Sequence, residues 1–338
     1  METEQTELTQ KKERTISRKT FILIVFHVFI LTALGSYFLF SSNLMTGSAV
    51  NYNPDQFPLI DPDTAQLELD EFLEKQTQLS VSYTSLRKGI NEILINSEGE
   101  YSFYFEDLTT GAWIGLNEKR EFIPASLFKM PAVMAIVKKI EKGELSLDDQ
   151  IVLLESDMAN TGSLFGTLYL KGAGYKMTIK EGLIHVLEES DNTALNALMR
   201  KISYNELTEA YVATGLPWPK FTSEINDNLV SPKQYMNIFR SLYYSSYLRR
   251  TYSQLILSLL SESDFDGGIP AGIPKGVKVA NKIGFFNMDP ESYHDCGIVY
   301  VPKKPYMLCV MSSYTTQEDF NVVTSKISET VYDYVIQN

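Results

Sequence analysis

The stretch PASLFKMPAVM, residues 124–134, places Ser126 three residues before Lys129 at the head of an apolar run. If a helix begins at or near Ser126, positions i and i+3 share a face and the lysine amine can reach the serine oxygen. The helix N-terminus also favours a negative charge developing there. A serine hydroxyl is a weak nucleophile and needs an adjacent base. Lysine serves as that base only when neutral, so its ordinary pKa of about 10.4 must be pulled down by burial or by a nearby cation. Lys129 is followed by MPAVMAIV, which is wholly apolar, so burial is expected. The same spacing recurs at Ser85 and Lys88 in TSLRKGI, but there Arg87 precedes the lysine on a polar face, where an amine stays hydrated and charged. Taken alone, each pair reads equally as an N-cap serine with a surface lysine.

Two further short elements follow. Ser190, Asp191 and Asn192 stand between two helical patterns in EESDNTALNAL. Ser, Asp and Asn are the favoured N-cap residues, so capping alone accounts for them. Lys282 and Gly284 end an extended run in VANKIGFF, which a strand-end lysine and a turn glycine would also explain; Lys-x-Gly occurs again at 180–182, inside a helical pattern.

Order and context carry what the single elements do not. Ser-Asp-Asn begins 64 residues after Ser126, and Lys-x-Gly begins 92 residues beyond Ser190. This set resembles the penicillin-recognising serine enzymes, most closely the class A β-lactamases. The resemblance covers residues 79–338. It implies that Ser126 is the acylated nucleophile and that Lys129 takes its proton. Ser190 then shuttles a proton to the leaving nitrogen, Asn192 holds the substrate amide, and Asp191 ties its loop down. Lys282 attracts the substrate carboxylate, and Gly284 lets the substrate lie against the strand edge. The backbone N–H groups of Ser126 and Phe285 form the oxyanion hole.

The chain departs from that family in three places. Ile283 replaces the hydroxyl residue of the third motif, removing a hydrogen bond worth about 1.5–3 kcal/mol to a charged partner. The family's arginine on the next strand has no clear match; His294 is the only nearby candidate, and a structural histidine fits it better. Glu224 and Asn228 in SEINDNLVSP have the spacing of the family's deacylating glutamate and asparagine, but Asp227 stands where a leucine is usual and the loop is short. Glu224 is thus either the base for the deacylating water or a solvent-facing residue of a polar loop.

The 338 residues, 44% of them hydrophobic, can bury a sizeable core, and a net charge of −12 argues against nucleic acid as a partner. Residues 1–20 are basic near their end (Lys11, Lys12, Arg14, Arg18, Lys19) and precede an apolar run, Phe21–Phe40. That length matches a bilayer's hydrocarbon core, and the flanking charge keeps the N-terminus cytoplasmic. A cleaved signal peptide ending at Ala-Leu-Gly, residues 33–35, is the alternative. The apolar run continues past that point, which favours a single-pass signal anchor with the catalytic domain outside the membrane. Residues 41–78 read as a polar linker or stalk. Neither a metal cluster nor a cofactor motif is visible, and none is expected. If Cys296 and Cys309 lie on a hairpin turning at Pro302–Pro305, they are diagonal neighbours, and two free, half-buried thiols are expected.

The pattern along 79–338 gives an α+β fold, and the resemblance implies that it is of the β-lactamase/transpeptidase type. A hairpin over 101–117 and three late strands form one five-stranded antiparallel sheet, with terminal helices on one face. An all-α subdomain over about 123–260 is inserted, and the cleft between the two parts is the default site. A Ser-His-Asp hydrolase is disfavoured, because Ser126 lacks flanking glycines and histidines are few. The functions that follow are a β-lactam-hydrolysing serine enzyme, a D,D-peptidase or penicillin-binding protein acting on peptidoglycan stem peptides, or a silent wall-binding domain.

Overall fold

The computed structural model describes residues 58–59, 83–159, 166–217, 228–286 and 288–338. The expected membrane span and most of the linker lie outside the described residues, as does Glu224. Among the described residues no helix is long and apolar enough to cross a membrane.

The sheet has the order β2-β1-β7-β6-β5 and every pairing is antiparallel. Strands β1 (Glu100–Asp107) and β2 (Trp113–Leu116) come first in the chain; β5 (Val279–Phe286), β6 (Ser292–Val299) and β7 (Tyr306–Ser313) come last. The edges therefore come from opposite ends of the domain, and β5 presents one of them beside the helical block. Alternation along β1 sends Phe103 and Phe105 to one face and Tyr104 to the other. The first face is covered by α1 (Thr84–Ile95) and the C-terminal α9 (Gln317–Gln337), through Leu86, Ile90, Ile327 and Val331. Ser85 and Lys88 lie exposed on α1, with Lys88 set against Glu92 at 3.8 Å, so this second serine–lysine pair is a solvated face.

The other face carries Tyr104, Met307 and Met311 and packs on the helical block. That block comprises α2 (Lys129–Glu141), α3 (Ile179–Leu187), α4 (Asn192–Met199), α5 (Tyr204–Ala213), α6 (Pro232–Tyr243) and α7 (Arg250–Leu260). Capping boxes start three of them: Thr178 with Glu181, Ser203 with Glu206, and Ser231 with Gln234. Sequence periodicity missed two small features. Three-residue strands β3 (Gln150–Val152) and β4 (Lys176–Thr178) form a separate ribbon, and α8 is a single turn, Gly268–Ala271. Both are too short to show a period.

One expectation is overturned. Cys296 and Cys309 sit directly opposite each other in the β6–β7 ladder, both fully buried, and form a disulfide. The hairpin turns one residue earlier than expected. The Lys304 N–H donates to the Val301 carbonyl, and Lys303 takes a left-handed φ of 63°. Pro302 at the second position and a positive φ at the third are what a type II turn requires. That shift brings the cysteines from a diagonal into direct register.

Candidate active site

Ser126 is not the first residue of an α-helix. It lies in a 3-10 turn, Ala125–Phe128, which runs directly into α2 at Lys129. The residue before it, Ala125, has φ 49°, a left-handed conformation that disfavours an L side chain by about 1–2 kcal/mol. The turn is held from three sides. The Leu127 N–H donates to the Pro124 carbonyl at 3.0 Å. The buried Tyr235 hydroxyl donates to the Leu127 carbonyl at 3.2 Å. Strand β5 lies against the turn at Gly284, where an added Cβ would stand 2.9 Å from the Pro124 carbonyl oxygen and 3.0 Å from Leu127 Cγ. Gly284 is therefore required by the nucleophile turn itself, a constraint separate from the room for substrate expected there from the sequence.

Lys129 follows one turn later and is 0% exposed, within an α2 whose first nine residues are all buried. Its amine donates to both the carbonyl and the hydroxyl of Ser190, the latter at 3.1 Å. Burial pulls the amine down to about 7, against the opposing pull of the Asp191 carboxylate. This is the lysine chemistry that the apolar run after Lys129 implies: a base that is half neutral near physiological pH.

Ser190 reaches Lys129 because its loop is rigidly built. It has φ 56° and is followed by Asp191, whose two carboxylate oxygens are both used. One accepts the Ala194 N–H at 2.8 Å and caps α4; the other accepts the Leu168 N–H at 3.0 Å. Gly166 closes over this carboxylate at φ 92°, and a Cβ there would stand 2.5 Å from the Asp191 oxygen. Asn192 opens α4 and lines the cleft.

Lys282 is 2% exposed on β5. Burial pushes its amine well below the ordinary lysine range, the Lys129 charge adds to this, and Asp295 opposes it. Asp295 is a residue that sequence reasoning missed. It is fully buried, accepts the Asn281 side-chain N–H at 2.8 Å and the Ile269 N–H at 2.7 Å, and burial lifts it to about 7. No spacing in the sequence ties Asp295 to Asn281, because only the β5–β6 register brings them together.

His294 is buried behind the turn, and its Nε2–H donates to the Ile123 carbonyl at 2.7 Å. It supplies no cation to the cleft. Tyr293 beside it packs against Phe285 with the rings tilted and their centroids 5.0 Å apart, and β6 carries neither a lysine nor an arginine. Ile283 is nearly buried and lies opposite Asp295 in the ladder.

The open cleft at Ser126 has a volume of about 410 Å³ and is bounded by the nucleophile turn, α4, α5 and the end of β5 with Phe285 and Phe286. Asn228 is part of its wall; Glu224, its sequence neighbour in the proposed deacylation pair, is not among the described residues. Among the described residues no group of His, Cys, Asp and Glu could hold a metal ion.

With serine, buried lysine, second serine and strand lysine in one place, comparison with known proteins settles the family. Residues 85–335 match the β-lactamase enzyme family. The chain belongs to that family. It is a serine hydrolase of β-lactamase type. β-Lactamase 3 of Bacillus cereus is 24% identical over 245 residues, covering 68% of this chain and 75% of its own. A β-lactamase of Proteus vulgaris is 25% identical over 261 residues, covering 73% and 88%. Among solved structures, PBP-A superposes with a TM-score of 0.67 at 21% identity, over 75% of this chain and 97% of its own. The TLA-3 extended-spectrum β-lactamase gives 0.68 at 18% identity, over 75% and 100%. These levels of similarity place the fold and the family, and leave the substrate to the residues of the site.

Proposed function

We propose that this β-lactamase-family hydrolase is an extracytoplasmic enzyme of class A type, anchored through residues 21–40, that forms an acyl-enzyme on Ser126 and opens β-lactam amides. The observation that carries the chemistry is the fully buried Lys129 amine, drawn down to about 7 and donating to Ser190 at 3.1 Å, one turn after Ser126. Neutral Lys129 accepts the Ser126 proton as Oγ attacks the carbonyl. The proton then passes through the Ser190 hydroxyl to the departing nitrogen, which leaves as a neutral amine. Backbone N–H groups of Ser126 and Phe285 face the oxyanion. Water then cleaves the ester, returning Ser126 and releasing the acid. The anchor rests on the basic segment before Phe21–Phe40.

A second reading, a D,D-peptidase or penicillin-binding protein acting on peptidoglycan stem peptides, keeps the acylation and loses fast turnover. Ile283 in place of a hydroxyl and the structural likeness to PBP-A favour it. Intact-mass spectrometry of the full-length chain after penicillin exposure, followed over time, tests both. An adduct absent from Ser126→Ala supports acylation; loss of the adduct within seconds supports the β-lactamase, and persistence for many minutes the penicillin-binding protein. No adduct at Ser126 sinks both.

A further inference from the structure

We propose that the Cys296–Cys309 disulfide positions Lys282, so that recognition of a carboxylate-bearing acyl donor depends on the oxidised bridge. The inference rests on the reading of Lys282 as the partner of the substrate carboxylate. It starts from the register of the sheet. Lys282 on β5 stands directly opposite Cys296 on β6, Cys296 opposite Cys309 on β7, and Cys309 opposite Tyr104 on β1. Side chains opposite one another in a ladder share a face, with Cβ atoms about 4.5–5.5 Å apart. One row of side chains, Lys282, Cys296, Cys309 and Tyr104, therefore crosses the face that packs on the helical block.

The row is pinned at its Tyr104 end. The buried Tyr104 hydroxyl donates to Glu106 at 2.6 Å and accepts from Arg240 at 3.0 Å, and a further strand, β2, backs it. At the Lys282 end, β5 is the last strand of the sheet among the described residues. Between the two ends the sulfurs are closed in. Met307, Met311 and Ile298 are fully buried on the same face, and α6 lies across β1, β6 and β7. Bonded sulfurs take less space than two thiols, which must separate to van der Waals contact. An interior packed at crystal density has no room for that separation without strain. Packing of Gly284 on the Pro124 carbonyl holds the far end of β5, so the displacement is taken up at Lys282.

Reduction breaks one S–S bond and makes two S–H groups, while a dithiol becomes a disulfide or a phosphine, with water, becomes its oxide. The acylating groups lie off this row: the 3-10 turn, α2 and the Asp191 loop hold Ser126, Lys129 and Ser190. The unlinked chain should therefore keep its acylating groups and lose its hold on the substrate carboxylate. Disulfides form and persist in oxidising compartments, so a copy folded among cytoplasmic thiols would recognise penicillins poorly.

The test compares the full-length chain with its bridge intact and the same chain prepared throughout in a phosphine, its thiols counted by alkylation and intact mass. Two acyl donors are used: benzylpenicillin, which carries a carboxylate, and p-nitrophenyl acetate, which carries none. On reduction the half-saturating concentration of benzylpenicillin should rise about tenfold, with its saturating acylation rate and the ester rate changed by less than about threefold. Cys296→Val with Cys309→Val leaves two unbonded, bulkier side chains in the row and should show the same selective loss. Cys296→Ala with Cys309→Ala relieves the crowding; it should melt at lower temperature and keep the parent's half-saturating concentration. A folded reduced chain or valine pair that takes benzylpenicillin as the parent does overturns the inference, as does an equal loss on both donors or a loss in the alanine pair. The variants need no reductant, so they decide the matter even if the reduced chain fails to fold. Lys282→Ala in the parent should raise the half-saturating concentration at least as far; no rise there overturns the reading of Lys282, and the inference falls with it.

Discussion

The Lys129 amine lies 3.1 Å from the Ser190 hydroxyl, and both side chains are withdrawn from water, while Ser126, one turn before Lys129, lines the open cleft. An ammonium in that position is costly, so burial draws the lysine's pKa down to about 7. The same burial that lowers the pKa supplies the base.

Acylation of Ser126 should therefore rise with pH through about 7 and level off above it, because the neutral amine is the reactive form. Stopped-flow labelling by a fluorescent penicillin at constant ionic strength would trace the limb. Lys129→Arg should abolish labelling across the range, since a guanidinium does not deprotonate. Labelling by Lys129→Arg at the rate of the parent chain would remove Lys129 from the mechanism.

Asp191 opposes that pKa shift, and its removal gives a second, directional test. Asp191→Asn retains a competent N-cap residue for α4 but deletes the charge that favours the Lys129 ammonium. The acylation limb should move below 7. Stability should fall by about 1–3 kcal/mol, because the Leu168 N–H loses a buried acceptor. A limb that moves to higher pH would show that Asp191 does not act on Lys129 through its charge.

Gly284→Ala should separate geometry from binding. The added Cβ would meet the Pro124 carbonyl oxygen at 2.9 Å, a backbone atom that cannot turn aside, so the nucleophile turn must shift. A displacement of that kind should cost acylation about 100-fold. The expected signature is a lower acylation rate at saturating penicillin with the half-saturating concentration little changed. An unaltered rate would mean that the turn tolerates the shift.

How far the sequence led depended on the range of the interaction. Helices α2 to α7 were legible from apolar periodicity and cap residues, and the order of Ser126, Ser190 and Lys282 was legible as a motif set. Those signals are local or linear. The start of α2 was not legible, because a 3-10 turn and a first helical turn have the same apolar pattern; only the strained Ala125 and the packing against Gly284 distinguish them. The Cys296–Cys309 pairing turned on whether the hairpin closes at Lys303 or one residue later, a choice made by backbone conformation. Asp295 with Asn281, and His294 with Ile123, depend on register and on contact across the sheet, which a sequence does not display. The cleft wall needed α4, α5 and β5 brought together, although Phe285 and Phe286 were visible as a pair after Lys-x-Gly.

His294 gives the last prediction, and its sign follows from burial. The ring is held neutral down to about 4, because burial outweighs the bond to the Ile123 carbonyl that favours its protonated form. In the unfolded chain it titrates near 6.5. Between those two values the unfolded state binds more protons, so stability falls as pH drops through 6.5 toward 4, by about 3 kcal/mol in full. His294→Phe removes the titration and leaves the Ile123 carbonyl without its donor, a loss of about 1–3 kcal/mol at neutral pH. The variant should thus be less stable than the parent at pH 7, with the difference shrinking toward pH 4. Urea melts of both chains at pH 7, 5.5 and 4.5 measure this. A difference that stays constant across the three would show that His294 titrates normally, and that its place behind the Ser126 turn is not the buried one described.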